Sequence, residues 1–443
     1  MILIYSQHIS SRLRYIAEFM LGDIAGYSEI SFSSNLQEAL QWPHGLINYS
    51  PQTIGKGLWM SPVALLFETG INNPEMKTDL SEKLPRPFFN NRSADIPFDM
   101  FAACFFLVSR YEEYLPSIRD KHDRFDAASS FASKYNFLHK PVVDIWALEL
   151  RNRIQQMYPQ LKFMQRQFNV LSTIDIDNAY AYKHKGLMRT MGALGKALIS
   201  GDAEAFTHRL QTILGFRDDP YDTYWLLDQV HKNNNLDSVY FILFSDYGHY
   251  DKNLSTDNHS FLRLIKSIAD KSLLGIHPSY ASNRSLIRLE REIKGLSSLI
   301  HREISISRQH FLKLNFPDTY NNLIQLDIAA DYTMGYAHAI GFRAGTCTPY
   351  KFYNLDLETE TALRVVPFQV MDASLLYYMK LTPEQALSES MRIADETKEV
   401  EGLFVTLWHN ETIGEHRQWK GWQPVFTGLL EYAASLRTGS VES

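Results

Sequence analysis

Short apolar runs alternate with helical patterns along the second part of the sequence. Four of the runs are rich in β-branched, leucine and aromatic residues: FNVLSTIDID, SVYFILFSD, LLGIHPS and LFVTLWHN. Apolar runs of this length are typical of strands that are buried on both faces. Helical patterns separate them, as in SLIRLEREIKGLSSLI, where Leu289, Ile293 and Leu296 share one face. This alternation predicts βαβ units, and therefore a parallel sheet or barrel, over residues 166–443.

The first 165 residues have a different pattern. MILIY predicts a strand, SRLRYIAEFML an amphipathic helix, and GLINYS and VALLFE further apolar elements, so residues 1–95 are expected to form a small α/β domain. The proline- and asparagine-containing stretch EKLPRPFFNNRSADIP then indicates a boundary. Beyond it, FDMFAACFFLVSRYEEYL predicts a buried helix capped by Asp99, and PVVDIWALELRNRIQQMY another helix. We expect residues 96–165 to form a helical connecting layer.

Composition narrows the class of protein. With 443 residues, 45% of them hydrophobic, the chain can bury a large core in two or three domains. The net charge of -6, without a long basic run, argues against a nucleic-acid or anionic-membrane partner. The two cysteines, Cys104 and Cys347, lie far apart and cannot build a disulfide framework or a CxxC metal knuckle.

The N-terminal stretch MILIYSQHISSRLRYIAEFML also bears on location. Its apolar run is too short and too often interrupted for a secretory signal. No window of the chain offers the roughly 18 apolar residues that a membrane span needs. We therefore expect a cytoplasmic protein without a membrane span, although the mature chain of an exported protein would have the same pattern.

Each strand-like run ends in side chains that can bind a metal or move a proton. Asp175 and Asp177 end the first run, Asp246 the second, His277 the third and His409 the last. In α/β barrels the catalytic groups project from the carboxyl ends of the strands, where the βα loops converge. The repetition of Asp and His at four strand ends predicts a functional site at this edge.

The Asp-x-Asp spacing in STIDIDNAY has a chemical consequence. In an extended segment, Asp175 and Asp177 lie on the same face, about 6.5–7 Å apart. Two carboxylates on one face repel each other, so one pKa rises unless a cation lies beside them. A divalent metal held by one aspartate, with the other left as a base, relieves this repulsion. The alternative is a solvated turn in which Asp177 caps the next helix.

Besides the two aspartates, three histidines and one arginine are candidates for the site. His277 precedes a proline at a loop mouth, and His310 follows Arg308 and Gln309 in SRQHFLKLNFP. Arg343 lies between two glycines, where it can brace a carboxylate through a bidentate contact. His409, at a strand end, can act as a general acid. Each also has a structural interpretation, as a hydrogen-bonded histidine or a surface arginine.

The order Asp-x-Asp, His-Pro, arginine loop and strand-end Leu-x-His resembles the polysaccharide deacetylase family (NodB homology, carbohydrate esterase family 4) over residues 166–443. The resemblance implies a distorted (β/α) barrel and a divalent metal ion, usually zinc. It implies hydrolysis of N-acetyl or O-acetyl groups on sugars. It does not extend to residues 1–95.

The resemblance also implies metal ligands. Asp177 matches the metal-binding aspartate, and His277 matches the second histidine of the family's His-x-x-x-His-Pro motif. Four residues earlier, where the first histidine belongs, this chain has Leu273. We expect His310 to replace the missing ligand, which completes an Asp-His-His set that suits zinc.

The remaining roles follow from the same resemblance. Asp175 matches the catalytic base, Arg343 the arginine that braces it, and His409 the catalytic acid, which Asp372 in FQVMDASL supports. We also expect a group of polar and aromatic residues to line a sugar groove: Asp246, Tyr280, Tyr336 and Trp408.

The sequence thus predicts a metal-dependent carbohydrate deacetylase acting on an acetylated sugar or polysaccharide precursor. The alternative is a non-catalytic carbohydrate-binding or scaffold protein that keeps the barrel without a working metal site. A third reading is another amide hydrolase on the same barrel. The oligomeric state is left open.

Overall fold

The computed structural model describes residues 1–437. Its N-terminal part is a parallel four-stranded sheet in the order β2-β1-β3-β4. The strands are β1 (Ile2–Tyr5), β2 (Ile30–Ser33), β3 (Gly45–Tyr49) and β4 (Leu58–Met60), and the helices are α1 (Ser11–Glu18) and α2 (Leu36–Gln41). Every residue of β1 and β3 is buried, as the uninterrupted apolar runs predict for central strands.

A mainly helical segment follows. It contains a two-stranded antiparallel ribbon, β5 (Thr78–Asp79) and β6 (Arg86–Pro87), and the helices α3 (Met100–Val108), α4 (Tyr111–Tyr114), α5 (Phe131–Lys134) and α6 (Val142–Met157). Every residue of α3 is buried, and the Asp99 carboxylate caps the helix by accepting the N–H of Ala102 at 2.9 Å. This cap satisfies a backbone donor that would otherwise be buried without a partner.

The second sheet has nine strands in the order β12-β13-β11-β10-β9-β8-β7-β15-β14. The strands are β7 (Asn169–Ile176), β8 (Asp237–Ile242), β9 (Leu273–Ile276), β10 (Ile306–Ser307), β11 (Ala330–Asp331), β12 (Tyr350–Asn354), β13 (Thr359–Val365), β14 (Val370–Met371) and β15 (Leu403–His409). All neighbours are parallel except β12 and β13. The associated helices are α7 (Leu187–Ile199), α8 (Ala203–Ile213), α9 (Tyr224–Asn233), α10 (His259–Ala269), α11 (Leu286–Ile300), α12 (Asp318–Gln325), α13 (Pro383–Glu399) and α14 (Gln423–Ser435).

This sheet is curled around an apolar interior. Phe241 on β8, Phe368 after β13 and Leu407 on β15 belong to one buried cluster, although their strands are separated in the sheet order. The structure therefore confirms a mixed α/β fold with a curled, nine-stranded sheet, which is a half-barrel. The specific distorted (β/α) barrel stays a prediction. Because the parallel strands of the sheet share one direction, their carboxyl ends meet at one edge.

The two sheets share a continuous core. One hydrophobic cluster runs from the first sheet through α3 and α6 into the second sheet. Phe105 of α3 contacts Tyr353 of β12, with ring centroids 5.2 Å apart. The expected division at residues 95 and 165 stays a prediction.

Between residues 1 and 437, the structure contains no helix with the length and apolar character needed to cross a bilayer.

Candidate metal centre and active site

Three side chains converge at the carboxyl edge of the curled sheet. Asp177 follows β7, His277 follows β9 and His310 follows β10. The Nε2 atom of His277 lies 3.1 Å from Oδ1 of Asp177, and the Nε2 atom of His310 lies 3.3 Å from Oδ2. One ligand atom from each residue lies within 4.8 Å of the others. The three residues form a group that could hold a metal ion.

The second nitrogen of each histidine is fixed by a hydrogen bond. Nδ1 of His277 donates to the carbonyl oxygen of Arg308 at 2.5 Å, and Nδ1 of His310 pairs with the Asp251 carboxylate at 2.8 Å. Asp251 is itself held by the N–H of Tyr280 at 2.9 Å. Such partners fix the ring orientation of metal-binding histidines and leave Nε2 free for the metal.

The electrostatics of this group fit a cation. Burial alone would raise the pKa of Asp177, but the charge of His310 holds that pKa well below its usual range. Burial would lower the pKa of His310, but Asp177 outweighs it and raises the pKa to about 9. Oδ1 of Asp177 is buried without a hydrogen-bond partner. A buried carboxylate oxygen without a donor, beside two imidazole nitrogens, is a donor set that suits a divalent ion.

Asp175 lies next to this group, near the carboxyl end of strand β7 and two residues before Asp177. Its Oδ2 is 3.8 Å from Nε2 of His277, and its Oδ1 accepts Nη1 of Arg308 at 2.8 Å. Arg308 is fully buried and also donates to Thr173 at 2.7 Å and to the Tyr332 carbonyl at 3.0 Å. The guanidinium therefore fixes the direction of the Asp175 carboxylate.

Arg343, which we expected to brace Asp175, has a different partner. It donates to Glu113 of α4 at 2.9 and 2.5 Å and to the Gly335 carbonyl at 2.9 Å. Burial would raise the pKa of Glu113, and Arg343 outweighs it, so the pKa is lowered. The brace at Asp175 is Arg308 instead. The glycine-flanked loop packs on α4, where a buried carboxylate needs a counter-charge.

His409 and Asp372 are paired as the sequence led us to expect. Nδ1 of His409 lies 2.9 Å from Oδ1 of Asp372, and the His409 N–H donates to Oδ2 at 2.7 Å. Thr412 donates to the same carboxylate at 2.7 Å. Burial would lower the pKa of His409, but the Asp372 charge raises it well above its usual value. Nε2 of His409 lies 3.7 Å from Asp177, so the imidazole faces the metal group.

A cavity of about 220 Å³ opens over these residues. Its floor contains Asp175, the Asp-His-His group and His409. Side chains that the sequence did not single out complete the wall: Arg124, Phe311, Met371, Tyr377, Tyr378, Glu411 and Trp419. Burial raises the pKa of Glu411 to about 7. Two local signals could have indicated this wall: the Tyr-Tyr pair shortly after Asp372, and Glu411 two residues after His409.

Trp408 and Asp246, two of the expected sugar-binding residues, lie away from this cavity. Trp408 is fully buried and packs on Phe426, with ring centroids 5.3 Å apart. Strand alternation turns it away from the face that carries Leu407 and His409. Asp246 is exposed and pairs with Arg291 at 2.8 Å.

The two expected tyrosines also lie outside the cavity wall. Tyr336 is buried beside Arg110, whose Nη2 donates to the hydroxyl at 3.4 Å. Tyr280 stacks near Tyr250, with ring centroids 4.3 Å apart, and supports the site only through its backbone bond to Asp251. The aromatic wall comes instead from the segment after β14 and from the segment after β15.

The N-terminal part of the chain contributes one residue to the cavity. Arg124 donates to the Phe311 carbonyl at 3.0 Å and to the Tyr378 hydroxyl at 2.9 Å. Its guanidinium also pairs with Asp120. Phe311 has a left-handed backbone with φ of 61° and directly follows His310. Arg124 therefore holds the segment that carries a metal-binding candidate.

Residues 2–159, which include the first sheet and helices α1 to α6, match a family of unknown function, DUF7033. No curated protein matches the sequence.

Solved structures similar to this chain include several deacetylases. A protein assigned as a polysaccharide deacetylase from Mycobacterium smegmatis is 14% identical with a TM-score of 0.39, and the match covers 62% of this chain and 86% of the other. A polysaccharide deacetylase from Bacillus cereus is 11% identical with a TM-score of 0.29, covering 60% and 88%. A CE4-family pseudoenzyme from Bacillus anthracis is 9% identical with a TM-score of 0.28, covering 60% and 61%. The functional argument therefore rests on the side chains of the site.

Proposed function

We propose that the protein is a metal-dependent hydrolase that removes acetyl groups, mainly N-acetyl groups, from a carbohydrate. The observation that carries the proposal is the convergence of Asp177, His277 and His310 beside Asp175, with a carboxylate-held His409 facing them. A metal site, a base and an acid around one cavity are the parts that metal-assisted hydrolysis requires.

The proposed ligands are Asp177, His277 and His310. One carboxylate and two imidazoles suit zinc, which uses three protein ligands and an open position in catalytic sites. When bound, such an ion supplies Lewis-acid polarisation and a nucleophile at neutral pH.

The side chains then divide the proton transfers. Asp175, held by Arg308, accepts a proton from the attacking water as its oxygen bonds to the acetyl carbon. His409, kept protonated by Asp372, donates a proton to the sugar nitrogen as the C–N bond breaks. The products are acetate and the free amine. For an O-acetyl group, the same proton goes to the sugar oxygen.

The wall of the cavity supports a carbohydrate as the substrate. Tyr377, Tyr378 and Trp419 offer aromatic faces that can pack against sugar C–H groups, and Glu411 offers a carboxylate for hydroxyl or amino groups. The cavity of about 220 Å³ is small, so we expect it to hold one sugar ring with its acetyl group.

Acetate release from N-acetylated oligosaccharides tests this function. The wild-type protein, stripped with a chelator and reloaded with zinc, is expected to release acetate, and Asp175→Asn and His409→Ala to lose at least about 10²-fold of that rate. His249→Ala, at an exposed histidine, is the matched control and should keep full activity. Binding of the same sugars without acetate release would contradict the proposal and favour a carbohydrate-binding protein.

A further inference from the structure

The two helices that follow the Asp-x-Asp segment have an uncovered apolar face. Helix α7 has 13 residues, and Ala197 is its one buried residue. Nine of the 24 large hydrophobic side chains that are exposed in residues 1–437 lie between Leu187 and Phe216. Met188 and Ile199 are 89% and 91% exposed. A cluster of exposed apolar side chains of this size marks a surface that binds a partner.

These exposed side chains share one side of α7. Leu187, Met191 and Leu198 are separated by four and seven residues, and Met188 and Ile199 by eleven, so they form two adjacent rows along the helix. Ala197, the buried residue, lies on the opposite side of the helix. The apolar face of α7 is therefore turned to solvent.

The hairpin that contains this face has a net charge of opposite sign to that of the whole chain. Residues 183–217, which we call the α7/α8 hairpin, contain six basic and two acidic residues, a net charge of +4, whereas the chain carries -6. Helix α7 carries Arg189 and Lys196 and no acidic residue. Seven residues separate these two cations, so they form a row beside the apolar rows.

The hairpin is anchored at both ends next to the cavity. The Asp219 carboxylate accepts the N–H groups of Ala181, Tyr182 and Lys183 at 2.7–2.8 Å and so joins the end of the hairpin to its beginning. The Tyr182 hydroxyl lies 2.9 Å from Nε2 of His416, in the segment that contributes Glu411 and Trp419 to the cavity.

We propose that the α7/α8 hairpin binds the surface of an anionic lipid membrane, with the apolar face of α7 at the level of the headgroups and its cations against the lipid phosphates. An exposed apolar face flanked by a cationic row is the pattern of interfacial helices. The anionic surface supplies the complementary charge that a neutral apolar partner lacks. This binding is independent of the hydrolase activity.

Vesicle sedimentation of the full chain tests the proposal. The wild type is expected to sediment with vesicles of phosphatidylcholine and phosphatidylglycerol and far less with phosphatidylcholine alone. The double variant Arg189→Gln/Lys196→Gln should bind the mixed vesicles on the order of tenfold more weakly, because each cation of the row contributes near the surface. Met188→Ser/Ile199→Ser should lose at least about tenfold through lost apolar burial.

Matched controls are available on the same molecule. Lys266→Gln and Ile287→Ser alter an exposed cation and an apolar residue that is 82% exposed on other helices, and both should bind as the wild type does. Equal binding by all variants, or no binding of the wild type to either vesicle, would overturn the proposal. A wild-type dimer in light scattering that Met188→Ser/Ile199→Ser converts to a monomer would also overturn it, since a second copy then covers the face.

Discussion

At the scale of single residues, each reactive side chain of the site is oriented by a partner behind the cavity wall. Arg308 fixes Asp175, Asp251 fixes His310, and Asp372 fixes His409. These three partners are buried and do not line the cavity in the described part of the chain. Substitutions of these partners therefore test positioning separately from contact with the substrate.

The first prediction concerns Arg308. In Arg308→Lys the positive charge remains, but an ammonium cannot hold Thr173, Asp175 and the Tyr332 carbonyl together as the planar guanidinium does. We expect kcat for acetate release to fall by about 10²-fold through misplacement of the base, with metal content unchanged. Steady-state kinetics and elemental analysis of the same sample measure the two quantities.

Arg343→Lys is the matched control for that prediction. Arg343 is buried and bidentate on Glu113, so we expect the variant to unfold at a lower temperature and to keep its kcat. A loss of kcat in Arg343→Lys, with full activity in Arg308→Lys, would return the role of brace to Arg343.

The second prediction concerns Asp372. In Asp372→Asn the negative charge that raises the pKa of His409 is removed, so the imidazole is expected to spend less time protonated at neutral pH. We expect kcat to fall by about 10²-fold or more, with metal content retained. The control is Asp246→Asn, at an exposed aspartate paired with Arg291, which should match the wild type. Wild-type activity in Asp372→Asn would contradict the role of His409 as a general acid that Asp372 keeps protonated.

At the scale of elements, helix α3 depends on a buried carboxyl group at its start. Asp99 caps α3 and also accepts the Tyr49 hydroxyl at 2.7 Å and the Val63 N–H at 2.8 Å. Burial raises the pKa of Asp99 to about 6. In the folded protein the Asp99 carboxyl group therefore stays protonated at pH values where the same group in the unfolded chain, with an ordinary aspartate pKa, has lost its proton.

The third prediction follows from this linkage. The contribution of Asp99 to stability is present below its unfolded pKa and is lost as pH rises through the folded value, over about pH 4 to 6. The unfolding free energy of the wild type minus that of Asp99→Asn should fall by on the order of 2–3 kcal/mol across this range. Urea unfolding at several pH values measures it. A difference that is constant with pH would show that Asp99 is ionised in the fold throughout.

At the scale of the whole molecule, the N-terminal sheet and the curled sheet share one hydrophobic core. One hydrophobic cluster passes through both, and Arg124 reaches from the N-terminal part into the cavity. We predict a single cooperative unfolding transition, with far-UV and near-UV circular dichroism giving the same midpoint. Two separate midpoints would show that residues 1–159 unfold independently.

The strands and the strand-end residues could be predicted because their signals are local. The buried strand pattern and the Asp or His that ends each strand lie within a few residues, so Asp177, His277 and His409 could be assigned to one edge. The placement of His310 required the resemblance to a family motif and its missing histidine. Its contact with Asp177 depends on β10 being the neighbour of β9, which no local pattern specifies.

The errors arose where a side chain's partner is distant in sequence. Arg343 and Arg308 both lie in a loop or at a strand end. Only the fold shows that Arg343 pairs with Glu113 and that Arg308 pairs with Asp175. Trp408 was assigned to the cavity although its neighbours Leu407 and His409 are the ones that line it. The net charge of the chain averages over the basic α7/α8 hairpin, so the expectation against an anionic-membrane partner stays a prediction that the vesicle experiment tests.

The most direct test of the account is the metal content of the purified protein by elemental analysis. We predict nearly one zinc or similar divalent ion per wild-type chain, with a large loss in His277→Ala and in His310→Ala and none in His249→Ala. Retention of metal in His310→Ala would contradict the Asp-His-His centre. Absence of metal from the wild type, even after incubation with zinc, would contradict the proposed hydrolase itself.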